Sequence, residues 1–206
     1  MAKTKHPQLP DAKLVIIGGG GHTRVLIGIL QSMALNIHGI ITQDKALLKQ
    51  KVLGIKVLGL ETDFDASPTA VMLINGVGNH ASKTGSGLNV RAEIAARYKA
   101  RGFTFGTIVS PYACVSHHAK ITEGVQIFQR TVVQPGVQIG AHSIINSGAI
   151  IEHDTRIGDY CHIAPAAVLC GNVCVGNFSH IGANATVIQG RSVPENSVIA
   201  AGAVVR

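Results

Sequence analysis

The chain is predicted to fold as an α/β domain with a short parallel sheet followed by a parallel β-helix, from a six-residue aliphatic repeat, a glycine-rich turn and a scarcity of aromatic residues. The repeat decides most. From Val109 to Val205 every sixth residue is Ile, Val or Leu, running through Val115, Ile121, Ile127, Val133 and onward without a failure. Four residues after each comes a second lane, Ala113, Ala119, Val125, Thr131 and so on, in which Arg191 is the member that is not small. A helix would return its apolar stripe every three or four residues, so a period of six excludes one and matches stacked β-helix coils. A prism packed with Ile, Val and Ala needs little aromatic filling, which agrees with 4% aromatic residues and no Trp.

The first half has a different grammar. Residues 1–12 read as a flexible polar tail. Leu14, Val15, Ile16 and Ile17 form a compact apolar run that stops at Gly18, Gly19, Gly20 and Gly21. After His22, the residues Val25, Leu26, Ile29, Leu30 and Met33 carry helical spacing. Strand, glycine turn and helix open a βαβ unit. Residues 37–41 offer a second strand, 71–74 another, and 89–100 a helix bearing Arg91, Glu93 and Arg97 and closed by Gly102. The expected division is a tail over 1–12, an α/β domain over 13–106 and the β-helix over 107–206.

A glycine turn lets backbone approach a ligand while the helix N-terminus presents N–H groups to an anion. Gly20 and His22 are the candidates there. The dinucleotide fingerprint would need a third glycine where Thr23 stands, and an acid at the end of the second strand where the chain has Thr42 and Gln43. A nicotinamide cofactor is therefore disfavoured. A nucleotide or sugar phosphate on the loop, or a turn that only packs helix on strand, are the readings left. A second glycine group, Gly76, Gly78 and Asn79, follows a strand and would face the same crevice. Residues 80–87, rich in Ser, Gly and Lys, read as a mobile loop over it.

Composition narrows the partners. Lys and Arg number 18 against 11 Asp and Glu, a net charge of +7, which favours anionic ligands. Basic runs with interleaved aromatics are missing, so a phosphorylated small molecule is expected rather than nucleic acid. No stretch reaches the roughly 20 apolar residues of a membrane span, and the start lacks a signal-peptide core, so the expected location is cytoplasmic. The cysteines Cys114, Cys161, Cys170 and Cys174 show no CxxC spacing and read as small buried thiols in a reduced compartment.

With three six-residue strands per coil, residues 18 apart lie one above another. His162 and His180 then share a column, His117 and His153 share another two coils apart, and Gly171 lies one coil from His153. His153 falls near a corner and is bracketed by Glu152 and Asp154. A carboxylate beside an imidazole fixes its tautomer and stabilises its protonated form, as a general base requires. For any one histidine alone a structural role is the default. Metal ligation would need three to converge, and no trio forms on one chain, although neighbours in a trimer could supply one.

The segments LVIIGGGGHTRVL, LINGVGN and INSGAIIEHDTRIGDYCHIAPAAVLCGNVCVG together resemble hexapeptide-repeat sugar acyltransferases of the sialic acid O-acetyltransferase type, which include bacterial amino-sugar N-acetyltransferases of the bacillosamine pathway. The resemblance runs from about Lys13 to the end. It implies a Rossmann-like sugar- or nucleotide-binding domain followed by a left-handed β-helix. It also implies a homotrimer with acetyl-coenzyme A, as donor substrate and without a metal, in the groove between adjacent solenoids. By residue, it implies His153 as general base, Asp154 as the group that orients it, and Asn146 in the acceptor pocket. Gly171 would hold the thioester carbonyl through its N–H, His162 and Ala183 would lie at the coenzyme, and His22 would contact the nucleotide or sugar. Two departures stand out: Thr42 and Gln43 replace expected acids, and the sequence stops at Arg206 where relatives continue for a short tail.

The function expected from all this is acetyl transfer to an amino sugar, nucleotide-linked, in bacterial surface glycan synthesis. Transfer to the hydroxyl of a sialic-acid-like sugar is the alternative within the class. A non-catalytic solenoid that binds an anionic sugar, and a metal hydratase of the same solenoid class, are the alternatives outside it.

Overall fold

The computed structural model describes residues 13–78 and 86–206. The tail over 1–12, Asn79 and residues 80–85 of the loop expected over 80–87 lie outside the described residues. Two compact units result, one built from residues up to Gly78 together with Val90–Gly106, the other containing Thr107–Arg206.

The first unit is a six-stranded sheet with its helices. β1 (Lys13–Ile17) leads through the glycine turn into α1 (Gly21–Ser32), then β2 (Ile37–Thr42). A hairpin of β3 (Lys51–Val52) and β4 (Ile55–Leu60) follows, then β5 (Val71–Asn75), α2 (Ser86–Lys99) and β6 (Thr104–Phe105). The order is β3-β4-β2-β1-β5-β6, parallel except where β3 meets β4. Leu14 to Ile17 are all buried, as a central strand covered on both faces requires. α1 buries Thr23, Leu26, Ile27, Ile29 and Leu30, while Val25 of the expected stripe is exposed. Gly102, at φ +84°, closes α2 with its N–H on Lys99 O.

Three findings correct the sequence reading. The hairpin of β3 and β4 was missed, so the strand over 71–75 is the fifth and not the third. α2 begins at Ser86, which takes the end of the expected loop into the helix. Of the four cysteines, Cys161 is buried, Cys170 and Cys174 are half-buried and Cys114 is exposed. Cys114 and Cys174 hold the first place of their strands, a position that turns its side chain outward.

The second unit is a left-handed parallel β-helix. Two-residue strands six apart fall into three sheets, and each strand pairs in parallel with the one 18 residues on, such as Ile144 with His162 and His162 with His180. The first sheet runs from Ile108–Val109 to Val198–Ile199, the second from Cys114–Val115 to Val204–Val205, and the third from Lys120–Ile121 to Ser192–Val193. The aliphatic lane fills the core: Ile127, Ile145, Ile163, Ile181 and Val187 are wholly buried. Five polar members of the small lane, Thr131, Ser143, Thr155, Cys161 and Ser179, are buried too, and each reaches a corner carbonyl 15 residues ahead. Thr131 donates to Asn146 O at 3.1 Å, Ser143 to Gly158 O at 2.8 Å, Thr155 to Cys170 O at 3.0 Å and Ser179 to Pro194 O at 2.9 Å. Cys161 does the same to Gly176 O with its thiol, whose pKa burial pushes up to about 11. A small hydroxyl or thiol thus satisfies a backbone group that no ladder reaches. Arg191 escapes to solvent.

Every sixth residue from Gly124 to Gly202 turns a corner with positive φ. Along one edge these residues are His142, Tyr160 and Phe178, whose rings stack at 5.1 and 5.2 Å between centroids. Among the described residues no helix is long and apolar enough to cross a membrane.

The lanes yield a stability contrast. Ile163→Ala removes buried methyl groups where neighbouring coils cannot collapse and is expected to cost about 2–5 kcal/mol, whereas Arg191→Ala, on the same solenoid but in solvent, should stay within about 0.5 kcal/mol. Urea denaturation of the two variants measures the difference.

Candidate functional site

In the first unit the two glycine groups stand at the carboxyl ends of adjacent parallel strands, β1 and β5. Gly18 donates its N–H to Ile41 O at 2.7 Å and Gly76 to Ile17 O at 2.8 Å. The Thr23 hydroxyl ties them together, 2.7 Å from Gly18 O and 3.1 Å from Gly76 O, its proton shared between the two carbonyls. This explains the broken fingerprint, because the position that a dinucleotide loop gives to glycine is used here for a side-chain knot. It also explains Gly76, where a methyl group would overlap the Thr23 hydroxyl and sit 2.7 Å from Ile17 O.

Gly20 is the N-cap of α1. It supplies no side-chain cap, and the first turn carries no acid, so the N–H groups at this end remain suited to an anion. His22, on that first turn, packs against Gly78, where a Cβ would lie 3.4 Å from the His22 Cβ. The structure thus brings Gly20, His22, Gly76 and Gly78 to one end of the sheet; Asn79 lies outside the described residues. Arg91 of α2 is named in the sequence reading as a helix residue but given no role there. Fully buried, it donates to Val77 O at 2.6 Å and Asn75 O at 3.2 Å, holding the second glycine group in place. An arginine on a helix gives no sign of this in sequence, since its spacing is that of a solvated face.

On the solenoid the remaining candidates fall on two edges. His153, Asp154 and Gly171 share the edge between the second and third sheets. His153 Nδ1 lies 2.9 Å from Asp154 Oδ2, and both side chains are open, at 57% and 68% exposure. A carboxylate accepts but does not donate, so the ring proton sits on Nδ1 and the lone pair on Nε2. Asp154, not Glu152, reaches the ring. Gly171 lies against that lone pair: a Cβ there would be 2.6 Å from His153 Nε2 and 2.7 Å from Cε1. Among the described residues the Gly171 N–H donates to no backbone carbonyl. Asp154 itself turns the corner at φ +60° over Gly136, where a Cβ would lie 2.5 Å from its Oδ1.

Asn146 and Ala183 lie on the edge between the first and second sheets, with His162 on the adjoining first sheet. Asn146 Nδ2 is 3.1 Å from His162 Nε2. His180 stacks on His162 edge-on at 4.9 Å, and burial pushes its pKa down. Ala183 is half-buried, two coils beyond Ser147, and accepts the Gly202 N–H at 2.8 Å. The second sheet separates the two edges, so one solenoid does not bring His153 and His162 together. No group of three His, Cys, Asp or Glu able to hold a metal occurs among the described residues. A shallow groove of about 570 Å³ runs over the third sheet between Lys120, Gln138, Arg156, Cys174 and Ser192, and none of the candidates lines it.

Comparison with known proteins agrees with this anatomy. Residues 13–84 match the PglD N-terminal domain, and residues 154–189 match the bacterial transferase hexapeptide (six repeats). No curated protein sequence matches. Among solved structures, PerB from Caulobacter crescentus, in complex with CoA and GDP-perosamine, is 31% identical, with a TM-score of 0.83 over 97% of this chain and 91% of that one. The acetyltransferase domain of PglB from Neisseria gonorrhoeae is 29% identical, with a TM-score of 0.85 over 95% of this chain and 92% of that one. The same domain in complex with acetyl coenzyme A is 28% identical over 94% and 92%, with a TM-score of 0.81. An α/β unit with its glycine turns, a hexapeptide solenoid and a relative at this identity over nearly the full length agree, and the chain belongs to the PglD family of hexapeptide-repeat sugar acyltransferases.

Proposed function

We propose that the protein transfers the acetyl group of acetyl-coenzyme A to the amine of a nucleotide-linked sugar destined for a bacterial surface glycan, as a homotrimer, with His153 as the base. The observation that carries the reading is the contact of His153 Nε2 with Gly171, backed by Asp154 on Nδ1. A base lone pair and a peptide N–H one coil apart are what acyl transfer needs. The relatives solved with CoA and GDP-perosamine, or with acetyl coenzyme A, support the donor and the class of acceptor.

The step balances without a metal. His153 Nε2 takes a proton from the attacking amine as the carbon–nitrogen bond forms, and the thioester oxygen, now anionic, is held by the Gly171 N–H. When the carbonyl reforms, the carbon–sulfur bond breaks and the imidazolium proton leaves with the thiolate as free thiol. Asp154 keeps the proton on Nδ1 in the resting ring and stabilises the charged ring between the two transfers. In the first unit, the N–H groups at the start of α1, with His22, bind the phosphates of the nucleotide.

The trimer is supported by the split between edges. A groove between two copies sets the His153 edge of one against the Asn146, His162 and Ala183 edge of the next, and completes a site that a single solenoid leaves in halves.

His153→Ala is expected to lower kcat by about 100-fold or more, the contribution of a positioned base. Gly171→Ala should have a loss of similar order, because the added methyl displaces the ring, and both variants should keep the wild-type melting curve. Thiol release from acetyl-coenzyme A, measured over a panel of nucleotide-linked amino sugars, reads this directly; wild-type turnover in either variant removes that residue from the mechanism, and no thiol release with any sugar removes the reaction.

Subunit mixing tests the shared groove. When His153→Ala and His162→Ala chains are refolded together in equal amounts, roughly a quarter of interfaces pair two intact edges, so roughly a quarter of wild-type activity should return. A mixture no more active than its components places both residues in one subunit's site and overturns the shared groove.

A further inference from the structure

Two histidines outside the site described above share its edge of the solenoid. His117 and His118 turn the corner two coils before His153 and Asp154, in the same two columns, because the strands that lead into these corners pair in register from Val115 through Val133 to Ile151. Both are exposed, and their rings are in contact, 3.9 Å between centroids at a tilt of 44°. Their corner is set by Ser116, whose hydroxyl accepts the His118 N–H at 3.2 Å and whose carbonyl accepts the Ala119 N–H at 3.0 Å. In the coil between the two pairs the columns hold Pro135 and Gly136, both exposed. Proline brings only its compact ring and glycine no side chain, and Asp154 Oδ1 lies 2.5 Å from where a Gly136 Cβ would stand. The edge therefore has a notch. Pro135 and Gly136 form its floor, the imidazole pair one side, and His153 with Asp154 the other. Twice the spacing of paired strands separates the two sides, roughly 9–10 Å.

We propose that this notch seats the sugar ring of the acceptor, and that His117 and His118 bind its hydroxyl-bearing edge and so determine which sugar is accepted. The direction comes from Gly171. It lies one coil past His153, against Nε2, so a donor carbonyl held there takes the later coils and leaves the acceptor the earlier ones. With its amine at His153, the rest of the sugar lies over Pro135 and Gly136, where the columns put no long side chain, and its far edge meets the histidine pair. Each uncharged imidazole offers one N–H donor and one lone pair, and a hydroxyl both donates and accepts. Two such rings side by side match neighbouring hydroxyls. A site that hydrogen-bonds a hydroxyl rejects the analogue that lacks it, which an apolar wall cannot do. The placing of the amine rests on the acetyl transfer proposed above. Sugar binding at the pair does not.

The test is calorimetric titration of the full-length protein with the panel of nucleotide-linked amino sugars, with thiol-release kinetics beside it. For the panel member that binds the wild type most tightly, the double variant His117→Ala/His118→Ala should raise Kd and the acceptor KM about tenfold, as two lost hydrogen bonds would, and leave KM for acetyl-coenzyme A within about twofold. Both side chains are exposed, so the melting curve should match the wild type. An unchanged Kd in the double variant overturns the proposal, as does a wild type that binds no sugar of the panel. An equal rise in KM for acetyl-coenzyme A overturns it too, because the pair would then not distinguish acceptor from donor. Sugar binding that weakens as expected, in a protein that releases no thiol, leaves the notch standing as a sugar site and removes the acetyl-transfer reading alone.

Discussion

Stacking in register governs the solenoid. Because every strand pairs with the one 18 residues later without a slip, each side chain is placed by the residue above and below it more than by its neighbours in sequence. A large side chain at a corner needs room one coil away, and glycine supplies it. Gly171 makes room for His153, Gly136 for Asp154 and Gly124 for His142. The catalytic geometry proposed above is thus a packing rule applied at one corner. The imidazole can lie over a peptide group there because a glycine leaves the space that a side chain would fill.

The same register settles how the core tolerates polar atoms. A buried hydroxyl without a partner costs on the order of 1–3 kcal/mol, yet Thr131, Ser143, Thr155 and Ser179 are fully buried. Each returns a hydrogen bond to a corner carbonyl. Corners are where the chain leaves the ladder, so they hold carbonyls that no strand satisfies. The small lane supplies donors at the height of those carbonyls. Thr131 links this framework to the site, since the carbonyl it satisfies belongs to Asn146.

How much of this was legible follows from the kind of interaction involved. Period and register were readable, because an aliphatic residue at every sixth place has one packing solution, and from it the pairing of His153 with Gly171 and of His162 with His180 could be counted off. The hairpin of β3 and β4 was not. Its turn is Leu53 at φ +46° followed by Gly54, and no rule of turn composition nominates leucine for a left-handed corner. The knot made by Thr23 left a trace in the sequence, as a fingerprint broken at one position, but its meaning needed the coordinates of Gly76 from 53 residues on. Arg91 left none. Proton states were half readable: a neighbouring acid announced the tautomer of His153, whereas that of His162 depends on an amide 16 residues away whose orientation is fixed by a backbone N–H.

The two edges show how one fold can place the same ring in opposite settings. His153 and His162 both carry the proton on Nδ1 in this reading, one because Asp154 accepts it there, the other because Asn146 occupies Nε2. In the first case the lone pair is left open at 57% exposure, beside a glycine; in the second it is consumed and the ring is 91% buried under another histidine. A base must be reachable by its proton and able to carry charge, and the open, acid-backed ring meets both conditions. The other ring is screened from water, where charging is costly, and its amide contact takes up Nε2. The difference is therefore made by what each column puts beside the imidazole, an acid and a gap on one edge, an amide and an aromatic lid on the other, and not by the histidines themselves.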